Sequence, residues 1–225
     1  MIHGRFPLLF PLLMVLAAAA GSAAAQDAPL FFREDWKEIP LALPVTQEHV
    51  ANPRLAMELH GAGREGVKKS NHPEIPNDPY YIWMGNCTAN CAISLRHTEA
   101  FADLTTPGAR VRWRSKQSGF RELRLIVRLA DGTWLVSDAS DAASDGWEAR
   151  GKRLSDLPWR EHEFRIAAIR WRKLDIDTVL EGAWVEKPDL GRVDALGWTD
   201  LRPGNGTPSS SRVDWMEVYA RAVKR

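Results

Sequence analysis

The sequence has only two cysteines, no useful excess of either charge and, beyond its N-terminus, no long hydrophobic run. Each shortage excludes something. Cys87 and Cys91 alone cannot staple a disulfide-dense mini-protein, and a zinc site would need two further ligands that no neighbouring motif supplies. Lys and Arg total 30 against 29 Asp and Glu, so nucleic acid and anionic membrane surfaces are poor partners. No apolar stretch after the N-terminal one is long enough for a membrane helix. The Gly-x-Ser-x-Gly elbow, the His-Glu-x-x-His helix and a phosphate-cradling glycine loop are missing as well, which removes the common signatures of hydrolases, zincins and P-loop enzymes.

What is present begins with an export signal. Met1 to Arg5 carries one fixed positive charge, Phe6 to Ala20 is apolar, and Gly21 to Ala25 is a run of small residues before Gln26. This order of charged, apolar and small-residue regions predicts a signal peptide over residues 1–25, cut after Ala25. Pro7 and Pro11 interrupt the apolar run, which is short for a retained anchor. Residues 26–225 are then a single domain, exported to the periplasm or beyond, with no membrane span in the mature chain. Removing Arg5 with the leader leaves 29 basic and 29 acidic residues. In an oxidising compartment Cys87 and Cys91, with three residues between them, are expected to form a local disulfide that pins a turn.

The dominant periodicity is two. Val111, Trp113 and Ser115 alternate with Arg110, Arg112, Arg114 and Lys116, while Leu123, Leu125, Val127 and Leu129 alternate with Glu122, Arg124 and Arg128. Asp131-Gly132 between Leu123–Ala130 and Thr133–Ser137 is a hairpin signal. Tyr80–Met84, Ala89–His97, Arg160–Ile166, Val193–Leu201 and Arg212–Tyr219 are further strands, and Ile176–Glu186 is left as a short helix or turn. Gly61–Pro79 and Arg202–Ser211 read as long irregular loops. Many short strands without helices between them predict an all-β, antiparallel two-sheet sandwich of the jelly-roll kind with at most one or two short helices. Ten tryptophans fit the core of such a fold or a sugar-stacking surface.

The segment Pro188-Asp189-Leu190-Gly191-Arg192-Val193-Asp194-Ala195-Leu196-Gly197-Trp198, followed after a Gly/Ser-rich loop by Arg212-Val213-Asp214-Trp215-Met216-Glu217-Val218-Tyr219, resembles the closing strands of galactose-binding-like jelly rolls. The resemblance covers about a third of the chain. The remainder, including Phe32 to Lys37 and Arg112 to Lys116, is similar to secreted bacterial proteins of unassigned function. The resemblance implies a sandwich of the class that includes carbohydrate-binding modules, enzyme accessory domains and assembly factors.

Sugar sites combine a flat aromatic ring with planar polar groups that bind vicinal hydroxyls, so the candidate ligand-binding residues are Trp83, Trp134 and Trp171 with Arg114, His97 and Asp200. The expected partner is a saccharide or glycan polymer, bound without catalysis. An alternative is a sandwich-fold glycoside hydrolase or lyase using Asp175, Asp177 and Glu181, which would share one face of a continuous strand. Their residue types and spacing differ from the laminarinase-type motif. Another alternative is a structural envelope protein that contacts a second protein. No cofactor is expected, although a structural calcium could sit near Glu34, Asp35, Asp214 and Glu217 if the first and last strands meet.

Overall fold

Alternating sequence becomes sheet when one face of each strand can be buried, and the register follows from which parity is apolar. The computed structural model describes Met1 and residues 27–117, 121–141, 158–201 and 211–225; apart from Met1, the expected signal peptide lies outside these residues. The chain forms a sandwich of two antiparallel sheets. The first runs β10 (Arg160–Arg165), β7 (Arg110–Lys116), β14 (Arg212–Tyr219), β4 (Tyr81–Trp83) and β3 (Lys68–Ser70). Strand β1 (Leu30–Glu34) pairs with β14 along the edge that β4 also uses. The second runs β12 (Leu180–Val185), β11 (Trp171–Asp175), β9 (Trp134–Ser140), β8 (Arg124–Leu129), β13 (Val193–Asp200), β5 (Cys91–His97) and β2 (Leu55–His60). Its remaining members are β6 (Ala100–Asp103) and β15 (Arg221–Lys224), which pair with each other beside β13. Among the described residues helix is confined to single 3₁₀ turns such as Gln47–His49.

The core lies between the sheets. Val111 and Trp113 of β7 and Val213, Met216 and Val218 of β14 meet Ile93, Leu95, Leu125, Val127 and Trp198 from the second sheet. Trp198 is the hub: its ring lies 6.1 Å from Trp36 and 6.4 Å from Trp113, the edge and tilted contacts that aromatic rings prefer. The indole nitrogens of Trp36, Trp171 and Trp198 are buried without a hydrogen-bond acceptor among the described residues. Trp113 is served differently. Its Nε1–H donates to Asp141 at 2.9 Å, and the same buried carboxylate accepts from Ser115 Oγ at 2.8 Å, Leu123 N at 2.6 Å and the side-chain amide of Gln117. Burial pushes the Asp141 carboxyl above its ordinary value.

Close backbone approach explains one glycine. A Cβ on Gly197 would stand 1.9 Å from the carbonyl oxygen of Ile93 on the neighbouring strand, so β13 and β5 can pair there only around glycine. The Asp131-Gly132 hairpin joins β8 to β9 as the sequence implies, with Gly132 at φ 90° and Thr133 N donating to Asp131 Oδ1 at 2.8 Å. Cys87 and Cys91 are disulfide-bonded.

Two local expectations change. Ile176–Glu186 holds no helix: residues after Asp175 turn, and Leu180–Val185 returns as β12. Val179 occupies the turn at φ 53°, a strained position for a β-branched residue, and its side chain is fully buried against Trp134 and Leu174. That burial, not the turn's own propensity, fixes the hairpin. Gly61–Pro79 is also less irregular than its composition suggests, because Lys68–Ser70 pairs with β4. The loop 202–210 lies outside the described residues.

Candidate functional site

The outer face of the first sheet is built by the parity that the core does not use. On β7, Arg110, Arg112, Arg114 and Lys116 alternate with the core-facing Val111 and Trp113. On β14 a bulge between Val213 and Trp215 adds an extra residue, so that Asp214 and Trp215 join Arg212, Glu217 and Tyr219 in covering the sheet. β14 is therefore buried along both faces without being a core strand on both. The cover is ionic and aromatic. Arg112 reaches Glu161 at 2.6 Å and Glu217 at 3.2 Å, Arg33 reaches Glu217 at 2.5 Å, and Arg114 reaches Asp214 at 2.7 Å. The Arg33 guanidinium stacks 4.6 Å from the Trp215 ring centre and that of Arg110 lies 4.0 Å from Tyr219.

Toward the β4 end this pattern changes. Arg212 stands directly opposite Lys116 on one side and Trp83 on the other. Lys116 is 6% exposed and Arg212 is 3% exposed. The Arg212 guanidinium lies 5.5 Å from the Trp83 ring and 5.8 Å from Tyr81, while the Lys116 ammonium lies 5.0 Å from Trp159. Trp83 and Trp159 keep part of their surface in solvent, whereas Tyr81, whose ring is 5.6 Å from that of Trp159, is buried. His72 Nδ1 sits 3.0 Å from Asp78 Oδ2 and 3.1 Å from the Tyr81 hydroxyl, and the His72 amide donates to the same carboxylate oxygen at 2.9 Å.

The electrostatics follow from burial. Desolvation pushes the Tyr81 phenol up, against hydrogen bonds with Ser70 and Arg212 that favour the phenolate. Tyr81 is thus a neutral hydroxyl at physiological pH, suited to hydrogen bonding. Desolvation lowers Lys116, with Arg212 and Arg114 lowering it further and Asp78 opposing them. Arg212 is lowered by burial too, but a guanidinium stays charged in proteins. Two cations, a neutral phenol and two partly open indoles form one patch.

The six ligand-binding candidates do not converge. Trp83 and Arg114 belong to this face. Trp134 lies across the molecule, on the outer side of the second sheet, 4.9 Å from His60 and 8% exposed. Trp171 is 2% exposed within the core, so its indole offers no platform. His97 packs 5.0 Å from Phe31 and accepts the Glu99 amide at 3.2 Å, and burial lowers its pKa, so it is a neutral packing histidine. Asp200 is buried beside Ser211 at 3.2 Å and Arg121 at 3.5 Å.

The alternative sites are placed as plainly. Asp175 accepts the amides of Asp177 and Thr178 at 3.1 and 3.4 Å, closing the β11–β12 turn, and Glu181 is paired to Arg124 at 2.7 Å and Arg172 at 3.1 Å. β1 and β14 do meet, as the calcium reading required, yet nitrogen donors occupy its four carboxylates. Glu34 accepts the amides of Trp36, Ala51 and Asn52 at 2.7 to 2.9 Å; Asp35 is paired to Arg33, Asp214 to Arg114, and Glu217 to both Arg33 and Arg112. Among the described residues no group of His, Cys, Asp and Glu is arranged to hold a metal ion.

Sequence reasoning missed Arg212, Tyr81 and Trp159, and treated His72 as part of a loop. For Tyr81 the signal was parity, because Tyr81 and Trp83 bracket a core-facing Ile82. A separate cleft of about 750 Å³ between Asp27, Thr105, Arg110, Glu163 and Arg165 is lined by no aromatic ring among the described residues, which argues against it as a sugar platform.

No family model matches the chain, and no curated protein does. Among solved structures it is similar to the family 11 carbohydrate-binding module of the cellulosomal cellulase Lic26A-Cel5E of Clostridium thermocellum, at 12% identity over 82% of this chain and 97% of that one, with a TM-score of 0.44. It is also similar to a protein of unknown function with a galectin-like fold from Bacillus subtilis, at 10% identity over 89% of this chain and 99% of that one, with a TM-score of 0.37. Neither likeness is close enough to transfer a ligand.

Proposed function

We propose that this protein is an exported, non-catalytic carbohydrate-binding domain whose site is the β4 end of the first sheet's outer face. One observation carries the reading: Trp83 and Trp159, both partly open to solvent, flank Arg212, Lys116 and Arg114 on a sheet face that contributes nothing to the core. Flat rings bind the apolar faces of sugars, and guanidinium and ammonium donors bind their hydroxyls. Of the carboxylates considered for hydrolysis, Asp175 caps a turn and Glu181 sits in ion pairs, which favours binding over catalysis. Export rests on the N-terminal signal, and the Cys87–Cys91 disulfide agrees with an oxidising periplasmic or extracellular compartment. Among the described residues no helix is long and apolar enough to cross a membrane.

The test is titration of the exported protein with a panel of polysaccharides, following tryptophan fluorescence and new reducing ends together. Saturable quenching that Trp83→Ala weakens, without product, is the expected result. New reducing ends would overturn the non-catalytic part of the reading, and silence in both signals for every polymer would overturn the reading itself.

A further inference from the structure

Ion pairing on the outer face is uneven. Arg33, Arg112 and Arg114 each hold a carboxylate, but Lys116 makes no ion pair among the described residues although it is 6% exposed. Its cross-strand neighbour is another cation, Arg212. Like charges placed directly opposite on a sheet destabilise it, and a buried unpaired ammonium adds to that cost. Only Asp78 draws Lys116 the other way, and that carboxylate already receives His72. Leaving the Lys116 ammonium without a counter-charge beside a second cation gives up stability, as functional sites commonly do.

Resting on the carbohydrate reading, we infer that the saccharide carries an anionic substituent, a carboxylate or a sulfate, which binds between Lys116 and Arg212 while the sugar ring lies against Trp83 or Trp159. The anion supplies the counter-charge that Lys116 lacks among the described residues, and the partly open indoles account for a ring next to it. The mature chain has balanced charge, so a polyanion is not drawn to it by overall charge. Local cations select it.

The groups facing Lys116 are Arg114 on its own strand, Arg212 on β14, Asp78 ahead of β4, and the Trp159 ring ahead of β10. Binding of the anion then requires the ammonium form. It declines as pH rises through the lowered pKa of Lys116, earlier than for a lysine at the ordinary 10.5.

The experiment titrates the exported protein with polygalacturonate, its methyl ester, dextran sulfate and an uncharged glucan. Polygalacturonate or dextran sulfate is expected to bind at least about tenfold more tightly than the esterified and neutral polymers, with salt weakening it. Preference between the two polyanions assigns the carboxylate or the sulfate. Lys116→Met is expected to abolish this preference and to leave the melting temperature unchanged or raised, while Lys173→Met on the second sheet leaves binding intact. Equal affinity for neutral and anionic polymers would overturn the inference and leave the carbohydrate reading standing. A Lys116→Met protein that melts lower and still prefers the polyanion would overturn it as well, by showing the lysine to be structural. Binding of no polymer would overturn the inference together with the reading beneath it.

Discussion

Asp141 holds the indole of Trp113 from inside the sandwich, and the same carboxylate also takes the Ser115 hydroxyl and the Leu123 amide. It ties β7 to the entrance of β8 at the point where the two sheets begin to separate. Removing it would orphan at least two buried N–H donors. Asp141→Ala is expected to cost about 3 kcal/mol or more, measured by urea denaturation.

The pH dependence of that residue has a definite sign. Burial raises its folded pKa above the ordinary 3.8, so its contribution is fully present below that value and is lost as pH rises through the raised pKa. Glu34 behaves alike from its ordinary 4.5, since burial outweighs the three amides it accepts. The stability difference between wild type and Asp141→Asn should therefore widen as pH falls from about 7 to about 4. Paired urea melts read this directly, and a gap that narrows on acidification would refute the assignment.

Trp83 and Trp171 separate site from core. Trp83→Ala is expected to weaken saccharide binding about tenfold with little change in melting temperature. Trp171→Ala should instead lose about 3–5 kcal/mol of stability, because its indole is packed between the sheets. Thermal melts and fluorescence titration of the two variants give opposite patterns.

The Cys87–Cys91 bridge closes a very short loop, with a sequence separation of 4. Chain-entropy reasoning gives it about 2 kcal/mol. Replacing both cysteines by serine, or adding reductant, should lower the melting temperature modestly without unfolding the protein.

The hairpin at Asp131-Gly132 and the alternating β7 were legible in the sequence because local turn chemistry or a single buried face dictates them, and the closing strands β13 and β14 were legible through their resemblance to galactose-binding-like jelly rolls. The β11–β12 hairpin was not. Val179 turns there against its own preference, held by Leu174 of the adjoining β11 and by Trp134 of β9, a strand far earlier in the sequence. The proposed site was half legible for a related reason. Trp83 and Arg114 show their chemistry in isolation, but the meaning of Lys116 depends on which residue stands across from it. That residue, Arg212, comes nearly a hundred positions later. Trp134 and Trp171 were misplaced because alternation tells which residues share a face without telling whether another layer covers it.

Strand β14 has a consequence for how the chain is made. Residues 212–219 join β1, β4 and β7, so three strands synthesised earlier wait for a common partner that emerges among the last. Long-range pairing of this kind is slow, and here it cannot begin until residues 212–219 are available. A sheet keyed by so late a strand closes late, and until then the edges of β1, β4 and β7 stay open to other partners.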